Sequence, residues 1–217
     1  MELSREILIG VIESISKKLI DSEKLLTELD SPIGDADCGV GIKRGFEEVL
    51  SNIGELKNFA PPDILKKVGF TLASTIGGTS GAMLGTGFIE TGKNLSEAQN
   101  LDMGSIASAL DHSLSVIKRR GGDTEVGDKT LVDALQPAVE SIKESIGRGD
   151  QNIISILGKA ANAARDGSEK TVELTARKGR ASYLGERSKG HKDPGSAYIV
   201  LMFEAALKSI QLCRDNN

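Results

Sequence analysis

Three carboxylates fall within eight residues near the start of the chain, in Leu29-Asp30-Ser31-Pro32-Ile33-Gly34-Asp35-Ala36-Asp37-Cys38-Gly39-Val40-Gly41. Folded together, Asp30, Asp35 and Asp37 would repel one another unless a cation lay between them. An all-oxygen donor set suits Mg²⁺ or Ca²⁺ rather than zinc. The spacing is not that of an EF-hand. A twelve-residue loop opening at Asp30 ends at Gly41, and one opening at Asp35 ends at Phe46, where a bidentate Glu is needed. Magnesium keeps some waters and shares its coordination with substrate phosphates. Gly39-Val40-Gly41 would let a phosphate approach the backbone at the start of a helix. A solvated acidic turn whose Asp side chains act as caps accounts for the same residues, so composition alone leaves both readings open.

Three further glycine clusters follow. Gly77-Gly78-Thr79-Ser80-Gly81 offers free backbone N–H groups and two hydroxyls before a helix, a combination that cradles an anion; a tight helix–helix turn is the other reading. Gly122-Asp123-Thr124-Glu125-Val126-Gly127-Asp128-Lys129-Thr130 resembles a phosphate-binding P-loop with one residue too many before Lys-Thr. A P-loop must follow a buried strand, and a helical stripe ending at Arg120 precedes this one. Capping of the next helix by Asp128 or Thr130 is the expectation instead. The stretch from Ala176 to Gly195 is basic, with six Lys/Arg and one Glu between Arg177 and Lys192. Arginine beside glycine suits bidentate phosphate recognition and stabilisation of a transferring phosphoryl group, while a solvated basic loop is the alternative. His191 could act as a general base or remain a surface residue. Asp193-Pro194-Gly195 reads as a tight turn into the last helix.

The elements that must position these loops are helical. Apolar residues recur at three- and four-residue steps in Leu8-Val11-Ile12-Ile15-Leu19, Ile64-Leu65-Val68-Leu72 and Met103-Ile106-Leu110-Leu114-Ile117. The same stripe appears in Leu131-Leu135-Ala138-Ile142, in Ile153-Ile156-Leu157-Ala160-Ala164 and in Val200-Phe203-Ala206-Leu207-Ile210. Segments near 42–53 and 82–93 complete eight helices, with Pro61-Pro62 opening the third. No convincing period-2 strand, long linker or repeat is present, so residues 1–217 are expected to form one all-α domain of mostly antiparallel helices.

Composition narrows the function. The 27 Lys and Arg against 31 Asp and Glu leave a net charge of −4, without the basic excess of a general nucleic-acid binder. Purely apolar runs such as Ala197 to Phe203 fall far short of the ~20 residues that span a bilayer. Met1-Glu2-Leu3-Ser4-Arg5-Glu6 lacks the order of a secretory signal, and Cys38 and Cys213 suggest neither a disulfide framework nor a zinc cluster. A cytoplasmic, soluble protein with no direct nucleic-acid or membrane partner is expected.

In Ile33-Gly34-Asp35-Ala36-Asp37, Gly77-Gly78-Thr79-Ser80-Gly81, Gly127-Asp128-Lys129-Thr130 and the block from Ala176 to Gly195, the chain resembles the nucleotide-binding subunit family (subunit L) of dihydroxyacetone kinases. The blocks keep that family's order and spacing along essentially the whole chain. The resemblance implies an all-α barrel of eight antiparallel helices with ADP or ATP bound at one end. It implies that Asp30, Asp35 and Asp37 hold two Mg²⁺ ions bridging the nucleotide phosphates. Cys38, Gly39, Val40, Gly41, Thr79 and Ser80 would line the nucleotide site, with Gly121, Leu131 and Arg180 adding contacts and Asp193-Pro194-Gly195 closing it. Arg180 would be the catalytic side chain, stabilising the phosphates during in-line transfer. Cys38 stands where the family commonly has His, Gly41 where it often has Asn, and Leu131 where Met is frequent.

The resemblance further implies partners: a subunit that holds dihydroxyacetone, and a phosphohistidine carrier of the phosphotransferase system that rephosphorylates bound ADP. Two alternatives accompany it, a nucleotide-loaded module that docks on a transcription regulator, and a kinase subunit of the same fold serving another ketose or a fatty acid.

Overall fold

Spacing of three and four residues lines up one apolar face per helical turn, and those faces drive the fold of this computed structural model, which describes residues 2–215. Met1, Asn216 and Asn217, at the ends of the expected 1–217 domain, lie outside the described residues. In chain order the helices are α1 (Arg5–Asp21), α2 (Glu23–Asp30), α3 (Cys38–Ser51), α4 (Ile53–Leu56), α5 (Pro61–Thr75), α6 (Gly78–Ser96), α7 (Met103–Arg120), α8 (Val132–Gly147), α9 (Ile153–Lys170) and α10 (Pro194–Asp215). No strand occurs among the described residues.

The eight long helices are the eight expected from periodicity. Two short ones are not: α2, of eight residues, and α4, of four. Neither is long enough to show a repeating apolar face, and α2 is set off from α1 by Ser22, whose ψ of 8° breaks the helical run. The basic stretch is also more ordered than a loop. It winds into 3₁₀ turns over Arg180–Ser188, kinked at Gly185.

Packing follows chain order. Around the ring α1 meets α3, α3 meets α5, and α5 through α10 each meet the next, while α10 returns to pack on α1. That return closes a barrel. Leu19, Ile42, Phe46, Ile64, Leu72, Val132, Val139 and Ile156 are all buried in its core, each contributing about 1.5–3 kcal/mol by removal from water. The C-terminal ends of α5 and α7 open on the same cleft as the N-terminal ends of α3, α6, α8 and α10. Neighbours around the ring therefore alternate in direction. Short α2 lies against α3 and α10 and delivers Asp30 to that same end.

Among the described residues one helical stretch, Pro194–Arg214, is long and apolar enough to cross a membrane by length and composition alone. This departs from the expectation drawn from uninterrupted runs, because scattered small and polar residues break the runs without lowering the average much. Half of the stretch is buried inside the protein, and the helix packs between α1 and α9 as a core element.

Candidate functional site

The cleft at the end of the barrel has a volume of about 400 Å³. Four helix N-termini face it, and unsatisfied N–H groups there favour anions.

Asp30 anchors the acidic side of the cleft. It is the last residue of α2, 8% exposed, and its Oδ2 accepts from the N–H groups of Asp37 at 3.1 Å and Cys38 at 3.2 Å. It thereby satisfies the first donors of α3 while leaving Oδ1 uncommitted. A Cβ at Gly34 would lie 1.9 Å from that Oδ1, so the carboxylate can fold over position 34 only because no side chain is there. Ala36, at a φ of 60°, turns the chain between Asp35 and Asp37. One oxygen from each of Asp30, Asp35 and Asp37 then lies within 4.8 Å of the others. Partial desolvation, followed by the neighbouring Asp35 and Asp30, pushes the Asp37 carboxyl above its ordinary range. Three crowded oxygens with one buried anchor form a donor set that fits a hard divalent cation.

The basic stretch closes over the opposite side. Arg180 Nη2 lies 2.9 Å from Asp35 Oδ2. Lys178 Nζ donates to the Gly122 carbonyl at 2.6 Å, and the Arg177 N–H donates to the Asp128 carbonyl at 3.1 Å. At its base, the Ser188 hydroxyl accepts from the Ala176 N–H and donates to the Gly185 carbonyl. Together these contacts hold the guanidinium of Arg180 over the carboxylates.

Lys129 explains the sequence that mimics a P-loop. It is 1% exposed at a φ of 64°, and its Nζ donates to the carbonyls of Thr171 at 2.5 Å, Leu174 at 3.2 Å and His191 at 2.5 Å. A P-loop lysine must be free to reach phosphate; here all three protons are taken. Asp133 organises the loop before α8, accepting from the N–H groups of Gly127 and Thr130. Neither expected residue is the N-cap of α8: that position is Leu131, which makes no side-chain cap, while Thr130 Oγ1 accepts from the Val132 N–H and Asp128 accepts from the Glu125 N–H. Asp193 caps α10 through a 2.5 Å bond from the Ser196 N–H, and burial pushes its carboxyl up to about 7.

Of the residues expected at the site, Asp30, Asp35, Asp37, Cys38, Gly41, Thr79, Ser80, Gly121, Leu131, Arg180, Asp193, Pro194 and Gly195 all line the cleft. Gly39 and Val40 do not. Cys38 and Gly41 are three apart and share a face of α3, which turns the two residues between them elsewhere. Gly39 presses on α2, and Val40 is half exposed. His191 contributes its backbone carbonyl to Lys129, and its ring is not on the cleft wall. Burial and the nearby Asp30 carboxylate push the Cys38 thiol up, so it faces the cleft as a neutral thiol.

Sequence reasoning missed Arg44 and Tyr198, which also line the cleft. Arg44 donates to the carbonyls of Thr75 and Ile76 at the end of α5. Helical spacing was the available signal, since Arg44 lies three residues beyond Gly41 and Tyr198 three beyond Gly195.

A family model described as the DAK2 domain matches residues 32–208. The chain is 37% identical over 207 residues to the ADP-binding subunit DhaL of a PEP-dependent dihydroxyacetone kinase from Escherichia coli K12, covering 94% of this chain and 96% of that one. It is 36% identical over 200 residues to the ADP-binding subunit DhaL of a PTS-dependent dihydroxyacetone kinase from Lactococcus lactis, covering 90% and 92%. The fold is similar to the crystal structure of the dihydroxyacetone kinase from C. freundii in complex with AMP-PNP and Mg²⁺. That match has a TM-score of 0.72 at 25% identity and covers 96% of this chain but 35% of the larger one.

Proposed function

The chain belongs to the DAK2 domain family, and from that premise we propose that it is the ADP-binding, phosphoryl-transferring subunit of a dihydroxyacetone kinase. The observation that carries the reading is the meeting of three carboxylate oxygens within 4.8 Å in a cleft that also receives Arg180 and four helix N-termini.

Asp30, Asp35 and Asp37 would hold two Mg²⁺ ions against the nucleotide phosphates; when bound, these ions neutralise charge on the phosphates. The chain's own residues do the rest. Asp30, fixed by two backbone N–H groups, sets the position of the acidic cluster. The N-termini of α6 and α10 present N–H groups to anionic oxygens, with Thr79 and Ser80 beside the first. Arg180 offers a planar fork of donors to phosphate oxygens, where charge is redistributed during in-line transfer. No nucleophile from this chain is required.

In the full proposal, ADP stays bound and receives a phosphoryl group from a phosphohistidine carrier of the phosphotransferase system: the P–N bond breaks and a bond to a β-phosphate oxygen forms. The γ-phosphoryl then passes to a hydroxyl of dihydroxyacetone held on a partner subunit. Residues 1–217 would act as one nucleotide-binding domain, in the cytoplasm where the carrier works. The small relatives that this chain matches nearly end to end favour the carrier-dependent form.

Mass spectrometry of the native protein as purified tests the site directly, with retained ADP and magnesium expected. Asp37→Ala should abolish that retention while leaving the helical content intact. Equal nucleotide retention by the variant would defeat the metal assignment. Dihydroxyacetone phosphate should form when the chain is mixed with its substrate-holding partner, the carrier and Mg²⁺.

A further inference from the structure

Tyr198 stands on the second turn of α10, fully buried, and forms part of the cleft wall. Its hydroxyl has no hydrogen-bond partner among the described residues. Cys38 and Asp193 act on it electrostatically, and the Ser80 hydroxyl is near enough to interact with it as a hydrogen-bonding group, but that pair falls outside hydrogen-bond geometry. A buried polar atom left unpaired costs free energy, and native proteins leave few of them.

The position of the orphan matters. It lies near Cys38, Ser80 and Asp193, which stand at the N-terminal ends of α3, α6 and α10, in the wall of the cleft that the acidic cluster also lines. The groups around it do not pair it: the Cys38 thiol is a weak acceptor, Asp193 already accepts from the Ser196 N–H, and the Ser80 hydroxyl, the best acceptor nearby, does not reach hydrogen-bond geometry. A free O–H donor among helix N-termini is what an anionic oxygen would take up, and phenol-to-phosphate bonds are charge-assisted.

We propose that the Tyr198 hydroxyl is a ligand-binding group that donates to a phosphate oxygen of the bound nucleoside diphosphate. This rests on the nucleotide-binding reading above and adds a contact to it. Ligand binding then pairs a group that the free protein leaves unpaired, so the hydroxyl favours the loaded state at the expense of the free one.

Two signs must therefore go in opposite directions. Tyr198→Phe removes the hydroxyl and keeps the ring that fills the wall. Its dissociation constant for Mg-ADP, measured by titration calorimetry, should rise by about tenfold or more. The melting temperature of the ligand-free variant should be equal to or above that of the parent. A purely structural tyrosine would instead lower the ligand-free melting temperature. The chain has no Trp and two Tyr, so Tyr183→Phe leaves Tyr198 as the sole source of tyrosine fluorescence. Its emission should change saturably with Mg-ADP, at the affinity that calorimetry gives for the same variant.

Unchanged Mg-ADP affinity in Tyr198→Phe overturns the proposal, as does a lowered ligand-free melting temperature. Failure of the parent protein to bind Mg-ADP would instead remove the nucleotide reading itself, and the two failures are told apart by that one control.

Discussion

Arg180 and Asp35 are joined by a 2.9 Å ion pair that spans the cleft, tying the basic stretch to the carboxylate loop. Their side chains are 69% and 36% exposed, and an ion pair so open to water adds little to stability. Its weight is positional: it holds a guanidinium over the place where phosphates would lie. Arg180→Ala is expected to leave the melting temperature within about a degree or two, because exposed pairs are worth roughly 0–1 kcal/mol. Turnover with the partner subunits should fall by about 100-fold or more. Arg180→Lys keeps the charge but not the planar fork, so it should recover nucleotide affinity better than turnover. Full turnover in Arg180→Ala would remove this residue from the chemistry.

Gly39 governs the geometry of the acidic cluster without lining the cleft. A Cβ there would fall 2.1 Å from the Glu23 carbonyl and 2.3 Å from Thr27 Oγ1, so any side chain forces α2 away from α3. Because α2 carries Asp30, Gly39→Ala should lower stability by about 1–3 kcal/mol and weaken Mg-ADP binding together. Gly54→Ala is the matched control, since nothing lies within 4 Å of its Cβ position; it should be neutral or slightly stabilising. Thermal melts and calorimetry on both variants check the pair, and unimpaired binding by Gly39→Ala would break the link between helix packing and cluster geometry.

Lys129 is a buried cation whose three protons bind three carbonyls on segments that frame the cleft. Burial holds its ammonium below the ordinary lysine range, while Asp193 and Asp133 act in the opposite sense. Lys129→Met strips the carbonyls of their donors and leaves both carboxylates without their cation. A loss on the order of 3 kcal/mol is expected, read as a fall of several degrees in melting temperature. A melting temperature equal to the parent's would show that the clamp carries no weight.

Asp193 makes the ligand-free protein sensitive to pH near neutrality. Burial raises its folded pKa to about 7 from an ordinary 3.8. Folding therefore favours the protonated acid, and that stabilisation is complete below the unfolded pKa and lost as pH rises through about 7. The metal-free melting temperature should drop between pH 5 and 8. Asp193→Asn keeps an acceptor for the Ser196 N–H and removes the titration, so its profile should be flatter over that range. Identical profiles would assign the dependence to other groups. At the acid end the sign reverses for Asp150, held down to about 2 by Lys159, whose contribution disappears as pH falls from about 4 towards 2.

The sequence by itself determined the eight long helices, because a 3.6-residue apolar period is a local property that survives without tertiary context. It also placed three Asp residues within eight positions, though composition left open whether they converge on an ion or stay solvated, and the P-loop-like stretch could be set aside because no strand precedes it. What only the tertiary structure decided was which residues share the cleft. Ring closure by α10 on α1 brings Asp193 and Tyr198 to the end where α2 delivers Asp30, and the 3₁₀ turns bring Arg180 onto Asp35 from 145 positions away in the chain. The turn of α3 then removed Gly39 and Val40 from the wall. Short α2 left no periodic trace, and the clamp of Lys129 depends on carbonyls more than forty residues distant. Local patterns encode which face of a helix is buried. Which loops meet at its end is set by the packing of the whole ring, a sum of weak non-local contacts that no single segment contains.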